Sequence, residues 1–490
     1  VDKMAAPMDT GFLTAAQTSL YLPLLIIITL AIAWFTYRHI CRRNSNKTVT
    51  QFPRKFPNDW EKEPRDFYDV AIVGAGPAGA TCGYYLGKAG RNVLLLEKKK
   101  FPRDKYCGDA VCKTAIEILQ EMGIYHKLIH EKKAKVADNG GMCSPGGLSF
   151  IGHSKEELGE IPAAIACKRI HLDNEIAMAA KQAGADLQEN CAVSRAELSE
   201  GLWTIFLEDT DKTFKARVLV CADGAPSKLA TQLGIVKRPP DSNCSRAYVE
   251  GGTHKFRADG VVFYPKELLP GYAALFKHPN EELNYCVYII PGNPKVTPDD
   301  LPHWHDKLMK EDPNISRALG NNFKIERMKA ASLRLGGEAV TYADHAIVVG
   351  DAAGMIDPMT GEGIHHAMDG GKLAAQFLQE VLHHGNYDRD VMAIFHHRWM
   401  ARFGSDFKWS MAFCQILYRF PILLDAATAA VQKKGDKFLA RWADIMTGRV
   451  PKIHLLRPEF VIVITSQLLS LLVKRMLYGK DYGEVKSKTD

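Results

Sequence analysis

The alternation of apolar and polar positions is clearest near residue 70, where it predicts a βαβ unit. Asp69 to Val73 is an apolar, β-type run, and Ala80 to Ala89 has the pattern of a helix. Val93 to Leu96 is a second apolar run, and it ends on Glu97. Two short apolar runs joined by a helix are typical of parallel strands in an α/β sheet.

Glycines fill the turn between the first strand and the helix, in the pattern G-x-G-x-x-G. Gly74 allows the tight turn, Gly76 lets the backbone approach a pyrophosphate, and Gly79 lets helix and strand pack closely. The helix N-terminus offers free N–H groups to phosphates. Glu97 lies 18 positions past the last glycine and is expected to bind an adenosine ribose. The segment therefore predicts dinucleotide binding.

Further strands follow this unit. Arg169 begins a predicted helix that ends near Gly184, and strands are expected around Ala192 and at Trp203–Leu207. Ala216 to Gly224 is a buried strand that ends in Asp223-Gly224, with Ser227 nearby. Short alternating runs then predict a second domain with an antiparallel sheet; these runs are Gly260–Tyr264, Ala273–Phe276 and Asn284–Ile290.

A second strand–loop–helix unit lies far along the chain. The buried strand Ala346–Val349 leads into Gly350-Asp351, a glycine-bearing loop and a helix from Ile364 to Leu382. Asp351 is expected to bind the ribityl hydroxyls of a flavin. The N–H groups from Gly361 to Ile364 are expected to face its pyrimidine edge, where a positive helix end stabilises the reduced form.

Cys107 lies in a glycine- and proline-bearing loop, Lys98 to Ala110, before a helix predicted for Val111 to Gly123. A thiol just before a helix N-terminus has a lowered pKa. A buried structural cysteine is the alternative interpretation.

The two ends of the chain carry apolar segments. Leu20 to Tyr37, extended back towards Phe12, is long enough to span a bilayer, and Arg38, Arg42 and Arg43 follow it. The positive-inside rule predicts a single-pass anchor over residues 1–43, with the catalytic domain facing the cytosol and the endoplasmic reticulum as the expected membrane. A cleavable signal peptide is the alternative. Residues 44–66 have the composition of a linker.

The C-terminal part is predicted to be helical over residues 386–450. Phe460 to Val473 is a 14-residue apolar stretch followed by Lys474 and Arg475. It is short for a span, so it predicts a membrane-associated interfacial or re-entrant helix, or else a buried core helix.

Composition narrows the function classes. Net charge is +7 over 490 residues and the basic residues are scattered, which argues against nucleic-acid binding. The 11 cysteines include no C-x-x-C pair, so we expect no zinc ribbon, no iron–sulfur cluster and no metal site. An odd, scattered set indicates reduced thiols.

Together these motifs resemble the FAD-dependent oxidoreductases of the p-hydroxybenzoate hydroxylase type, over residues 67–385. Within that superfamily the chain is most similar to geranylgeranyl reductases, through FPRDKYCGDAV and GDAAGMIDPMTGEGIHHAM. The resemblance implies an α/β fold: a three-layer, Rossmann-like FAD-binding domain with an inserted antiparallel β-sheet substrate domain. The implied divisions are the FAD-binding domain at 67–134, 160–240 and 331–385, the substrate domain at 135–159 and 241–330, and a helical region at 386–490.

The same resemblance implies reduction of C=C bonds in an isoprenoid or other lipophilic substrate by hydride from reduced FAD. NADPH or an electron-donor protein would supply the electrons, and membrane lipids are expected partners. The implied catalytic residues are Cys107, Tyr272 and His365. The implied cofactor-binding residues are Gly74, Gly76, Ala78, Gly79, Glu97, Lys98, Arg103, Cys107, Gly108, Asp109, Arg169, Asp223, Gly224, Asp351, Pro358, Gly361, Gly363 and Ile364.

The chain departs from the family in its substrate-domain motif, Y-x-W-x-F-P. Tyr272 and Phe276 match, but Ala274 replaces the Trp and Lys277 replaces the Pro. A monooxygenase resembling squalene epoxidase, a flavin halogenase, an electron-transfer flavoprotein and a non-catalytic flavin-binding subunit of a membrane complex therefore stay open. His365 and His366 are proton donors or structural residues, and Arg169 is a cofactor contact or a solvated helix-start arginine.

Overall fold

The computed structural model describes residues 66–153, 161–251 and 257–479. The expected membrane anchor at 1–43, its signal-peptide alternative and nearly all of the linker at 44–66 lie outside these ranges. The strands are β1 (Tyr68–Val73), β2 (Val93–Leu96), β3 (Ala110–Cys112), β4 (Ala134–Val136), β5 (Asn139–Cys143), β6 (Ser149–His153), β7 (Ala164–Cys167), β8 (Asp186–Gln188), β9 (Val193–Ser199), β10 (Leu202–Leu207), β11 (Thr213–Cys221), β12 (Ser242–Gly251), β13 (Gly260–Phe263), β14 (Tyr272–Lys277), β15 (Leu283–Ile289), β16 (Phe323–Ile325), β17 (Lys329–Leu333), β18 (Tyr342–Ala343) and β19 (Ala346–Val348).

Helices pack against both large sheets and contribute apolar side chains to their cores. They are α1 (Pro77–Lys88), α2 (Lys113–Glu121), α3 (Tyr125–His130), α4 (Arg169–Gln182), α5 (Lys228–Gln232), α6 (Leu301–Glu311), α7 (Pro313–Leu319), α8 (Ile364–His384), α9 (Arg389–Trp399), α10 (Ser405–Arg419), α11 (Ile422–Lys434), α12 (Asp436–Met446) and α13 (Pro458–Tyr478).

The first sheet has the order β18-β19-β11-β1-β2-β8, with β10 and β9 added beside β11. Strands β19, β11, β1, β2 and β8 are mutually parallel. Their apolar runs are buried because helices, among them α1, α4 and α8, cover the sheet. Parallel strands place their carboxyl ends at one edge, so the loops after β1, β2, β11 and β19 meet there. The two motif-bearing units are therefore neighbours in space.

The second sheet has the order β16-β12-β15-β14-β13-β5-β6, with β17 also paired to β12. We expected an antiparallel sheet, but β13 pairs with β5 in parallel. The sheet is mixed because β5 comes from residues 139–143, far ahead of the other strands in the chain. Helices α6 and α7 pack on it, and the sequence analysis did not predict them.

A small third sheet, β3-β7-β4, corrects the expected helix at Val111 to Gly123. Ala110 to Cys112 form strand β3, which pairs antiparallel with β7, and the helix begins only at Lys113. The apolar residues Val111 and Ile165 face each other in this pair and are buried. Val111 and Cys112, the first residues of the predicted helix, are therefore in a strand, because they pair with the distant strand β7.

Helices α9 to α12 lie between residues 389 and 446, which confirms the helical region predicted for residues 386–450, and α13 follows them. The apolar stretch expected at 460–473 extends over the 21-residue helix Pro458–Tyr478, in which an 18-residue window has a mean hydropathy of 1.7. Among the described residues it is a helix long and apolar enough to cross a bilayer, which corrects the expected length. The buried-core interpretation is also wrong, since only 17% of that window is buried.

Candidate functional site

A cavity of about 890 Å³ begins at the carboxyl edge of the first sheet and continues along the second. Gly74, Glu97 and Asp223 line the part beside the first sheet. Tyr272 and Tyr288 on the second sheet line the far part, which helix α12 also bounds. One cavity thus joins the predicted dinucleotide segment to the predicted substrate domain.

The glycine turn after β1 has the form that a dinucleotide phosphate requires. Gly74 has φ of +104°, and a Cβ there would lie 2.3 Å from the carbonyl oxygen of Ala222. Gly76 differs: its φ is −74°, and a Cβ there would meet only the Arg103 guanidinium, at 3.9 Å. Gly76 therefore keeps open a space that is bounded by the N-terminus of α1 and a cationic side chain, which suits a pyrophosphate.

Glu97 directly follows β2 and is buried at the cavity wall. Its Oε2 accepts hydrogen bonds from the Ala75 N–H at 3.3 Å and from Arg103 at 3.1 Å. The Lys99 N–H donates to Oε1 at 3.2 Å. These bonds hold the carboxylate at the end of the strand, where a ribose hydroxyl would meet it.

Arg169 is buried, so the solvated interpretation is wrong. Its guanidinium donates to Oδ1 and Oδ2 of Asp173 at 2.6 and 2.7 Å, and Arg103 also pairs with Asp173. Burial alone would raise the pKa of Asp173, but the two guanidiniums lower it. Asp173 and Glu97 together fix Arg103 and Arg169 at the cavity wall.

Asp223 follows β11 at the same edge. The Ser227 hydroxyl donates to its Oδ1 at 2.9 Å and the Leu229 N–H donates to Oδ2 at 3.1 Å. Burial raises the pKa of this carboxyl. Asp223 therefore shapes the turn into α5, and Gly224 lines the cavity beside it.

Asp351 follows β19 and lines the cavity. Lys105, from the loop Lys98 to Ala110, donates to its Oδ2 at 2.6 Å. Burial alone would raise the pKa of Asp351, but Lys105 lowers it. The contact joins the two segments that carry the reductase-like motifs.

The buried carboxylate of Asp357 stabilises the loop before α8 through hydrogen bonds to the loop backbone. Its Oδ1 accepts hydrogen bonds from the N–H groups of Met359 and Thr360, and the buried Lys452 lies 2.7 Å from Oδ2. Gly361, Gly363 and Ile364 line the cavity. Pro358 is not among the lining residues; its carbonyl accepts a hydrogen bond from Tyr288.

Cys107 lines the cavity, but its expected lowered pKa is wrong. Burial raises the pKa of this thiol, and strand β3 separates it from the N-terminus of α2. Gly108 and Asp109 line the cavity beside it, and Asp109 accepts a hydrogen bond from Asn284 at 2.9 Å. The thiol is therefore a neutral group at the junction of the two sheets.

Tyr272 lies in an aromatic cluster on the second sheet. Its ring meets those of Tyr264 and Tyr288 edge-on, with centroids 6.1 and 5.3 Å away. Its hydroxyl donates to the carbonyl of Thr360, on the loop before α8. Burial raises the pKa of Tyr272, so it is a neutral phenol.

His365 is buried and is not among the cavity-lining residues. Burial, with the neighbouring His366, holds its pKa well below the ordinary histidine range. A neutral imidazole has no proton of the required acidity to give. The proton-donor role expected from the sequence is therefore not supported by its position, although Nδ1 lies 3.8 Å from a carboxylate oxygen of Glu362.

Several lining residues carry no signal in the sequence. Glu362 lies within the quoted motif GDAAGMIDPMTGEGIHHAM, but the motif assigned it no role. Cys244 and Cys286 lie on two adjacent strands, β12 and β15. Helix α12 adds a wall of mostly apolar side chains: Leu439, Ala440, Trp442, Ala443 and Met446. The sequence predicted only that this region is helical, because the contact depends on how α12 packs.

The site fits a flavin dinucleotide. The open space at Gly76, the fixed Arg103, and the carboxylates of Glu97 and Asp351 lie along one cavity, at the ends of parallel strands. Residues 67–397 match the model of the FAD binding domain family.

Curated relatives and a solved structure are similar to this chain over most of its length. The chain is 50% identical to conditioned medium factor receptor 1 of Dictyostelium discoideum over 430 residues, 85% of this chain and 84% of that protein. It is 27% identical to digeranylgeranylglycerophospholipid reductase of Methanocaldococcus jannaschii over 354 residues, 69% of this chain and 83% of that protein. A geranylgeranyl bacteriochlorophyll reductase-like structure from Thermoplasma acidophilum has a TM-score of 0.61 at 19% identity, and covers 84% of this chain and 99% of that one. The chain therefore belongs to the FAD-dependent oxidoreductases of the geranylgeranyl reductase type.

Proposed function

We propose that this protein reduces C=C bonds in the isoprenoid chain of a membrane lipid. The observation that carries the proposal is one continuous cavity. It joins the open space at Gly76, beside the N-terminus of α1 and Arg103, which we call the cradle, to the part lined by Tyr272 and Tyr288, which we call the chamber. A relative that matches 69% of the chain is named for reduction of a digeranylgeranyl lipid, and this name supports the same substrate class.

The chain's own residues would hold FAD along the first-sheet part of the cavity. The N-terminus of α1 and Arg103 would receive the pyrophosphate, and Glu97 the adenosine ribose. Asp351 would bind the ribityl hydroxyls, and the N–H groups from Gly361 to Ile364 the pyrimidine edge. When bound and reduced, FAD supplies hydride to an acceptor.

The chamber would bind and orient the prenyl chain. Tyr264, Tyr272 and Phe276 offer aromatic surface, and Leu439 and Trp442 of α12 also line the cavity. Such a wall excludes water and keeps the alkene in one orientation. Cys107, neutral and small, would contact the reacting groups at the junction without contributing charge.

Membrane association would follow from α13. One face packs on α11, through Leu468 and Leu471, and Arg475 pairs with Asp425 at 3.0 Å. The opposite face is apolar and exposed, with Ile462 and Met476 each 66% exposed. With one face packed on α11, helix α13 would place its exposed apolar face in the membrane interface.

The same helix lies next to the chamber. Phe460 of α13 contacts Phe438 of α12, with ring centroids 4.9 Å apart, and Trp442 belongs to the same cluster. Since α12 is a wall of the cavity, a lipid chain in the interface would be one helix away from it. This arrangement favours a lipophilic substrate over a soluble one.

A single-turnover product mass tests the proposal. The lipid-reconstituted protein is reduced without oxygen, and a geranylgeranyl lipid is then added. We expect the product to gain two hydrogens per turnover. The protein with oxidised flavin is the control and should give no product.

The same experiment in air distinguishes the alternatives. A product that gains one oxygen, and only in air, would replace the reductase with a monooxygenase. Bound lipid without any turnover would indicate a ligand-binding role, such as the one for which the Dictyostelium relative is named. Electron delivery by NADPH or by a donor protein is compared by replacing the chemical reductant.

A further inference from the structure

Glu362 places a carboxyl group on the cavity, and no lysine or arginine among the residues that the structure describes forms an ion pair with it. It lies between two lining glycines, Gly361 and Gly363, just before α8. Its side chain is 27% exposed, and Glu362 is among the residues that line the cavity. Its Oε2 is buried and has no hydrogen-bond partner among the described residues. A buried, unpartnered carboxyl oxygen is costly unless the group is protonated or functional.

The surroundings favour the protonated form. Burial raises the pKa of Glu362 to about 8. The cation whose charge acts on Glu362, Lys452, is paired with Asp357 at 2.7 Å and with Asp406 at 3.3 Å. The titratable or charged groups that face Glu362 come from several elements; they are Cys112, Tyr264, Tyr272, Asp357, His365 and Lys452.

The closest of these groups are themselves neutral. Sγ of Cys112, a nitrogen of His365 and an oxygen of Glu362 all lie within 4.8 Å of one another. Burial raises the pKa of Cys112 well above the ordinary thiol value, and it lowers that of His365. A cation requires deprotonated ligands, so this cluster lacks the anionic charge that would hold one. It is instead an apolar, uncharged support for a carboxylic acid.

We propose that Glu362 is the catalytic acid of the site and donates a proton to the substrate alkene. The inference rests on the proposed function and assigns it a residue. An unactivated alkene does not accept hydride directly, so one carbon must take a proton while the other becomes electron-poor. Glu362 lies on the loop that is expected to border the flavin, opposite Tyr272, whose hydroxyl is bound to the same loop.

The step balances. The O–H bond of Glu362 breaks and a C–H bond forms at one alkene carbon, which leaves a carboxylate. The other carbon takes hydride, and with it two electrons, from a reduced flavin as the two-electron donor. The π bond is lost, and solvent protonates Glu362 again before the next turnover.

The test compares wild type with Glu362→Gln, which keeps the shape and removes the acid. Single turnover with a geranylgeranyl lipid should slow by about 100-fold or more. Flavin affinity and reduction of the flavin by dithionite should stay within about twofold, since the N–H groups of the loop are unchanged. Glu197→Gln is the matched control, because Glu197 is an exposed carboxyl on β9 that is not among the cavity-lining residues; its rate should be unchanged.

A second readout does not depend on turnover. Infrared titration of the wild-type protein should show a carboxylic acid band that disappears near pH 8 and is absent from Glu362→Gln. Full activity of Glu362→Gln, or absence of that band, would overturn the assignment and leave the reductase function in place. Stoichiometric zinc or iron that is lost in Glu362→Gln would also overturn it. A wild-type protein that reduces no prenyl lipid would overturn the proposed function and this role together.

Discussion

Asp173 accepts two hydrogen bonds from the guanidinium of Arg169, one helical turn away, at 2.6 and 2.7 Å. Both side chains are almost fully buried. Arg103 pairs with the same carboxylate and with Glu97, at the end of β2. Asp173 is therefore the common anion of two arginines that line the predicted flavin site, although it does not line the cavity itself.

The first prediction concerns this carboxylate. Asp173→Asn should lower the free energy of unfolding by about 3–5 kcal/mol, because it leaves the buried guanidinium of Arg169 without its anion and removes one of the two anions of Arg103. Urea unfolding of the flavin-free protein measures the change. Glu197→Gln, in the exposed pair with Arg195, is the control and should cost less than about 1 kcal/mol.

The same carboxylate predicts a pH dependence. Its pKa is lower in the folded protein than in the unfolded chain, so its contribution to stability is present above the unfolded value of about 4. The contribution is lost as the pH falls through the folded pKa. Below about pH 4, the free energy of unfolding of the wild type should therefore fall more steeply with decreasing pH than that of Asp173→Asn. Equal acid sensitivity in the two proteins would contradict this assignment.

The second prediction separates two glycines of one motif. Gly76→Ala should leave folding intact but weaken FAD binding by about tenfold or more, because its Cβ enters the open space before α1. Gly74→Ala should destabilise the protein itself, since its Cβ would overlap the Ala222 carbonyl and φ is positive. Flavin titration and thermal unfolding measure the two effects. Similar losses of stability in both variants would argue against the cradle.

The third prediction concerns the reactivity of Cys107. Because burial raises its pKa, alkylation by iodoacetamide should be slow at pH 7 and should accelerate in the alkaline range. Mass spectrometry of peptides follows the modification, with Cys107→Ala to identify the adduct and Cys191 as an internal reference of similar exposure. Rapid alkylation of Cys107 at pH 7 would instead show a reactive thiolate.

The fourth prediction locates the membrane surface. An environment-sensitive dye on Val473→Cys, on the exposed face of α13, should be quenched by spin-labelled lipids when the full chain is reconstituted. The same dye on Leu198→Cys, an exposed apolar position on β9, should remain in water. If the two labels behave alike, α13 does not enter the bilayer, and a lipid substrate must reach the chamber by another path.

The sequence was most informative where function depends on strand ends. Gly74, Glu97, Asp223 and Asp351 were predicted from local patterns, and the structure places all four along one cavity. The reason is physical: each follows a buried apolar run, and parallel strands bring their carboxyl ends to the same edge. Knowing that the strands are parallel was therefore sufficient to predict that distant motifs meet.

Local patterns failed where a distant segment competes for the backbone or sets the environment. Val111 lies in a strand because β7 pairs with it, and β13 lies parallel to β5 because the chain enters the second sheet early. The pKa of Cys107 rises, because the surrounding protein desolvates a thiol that the sequence placed at a helix start.

The sequence by itself determined the cofactor class, the family and the elements that carry the motifs. Only the tertiary structure decided what surrounds them: the wall formed by α12, the exposed face of α13 and the neutral thiol and imidazole beside Glu362. Motifs are visible in sequence because they depend on short-range geometry. Burial and the pKa shifts it causes depend on residues that are hundreds of positions apart and meet only in the folded chain.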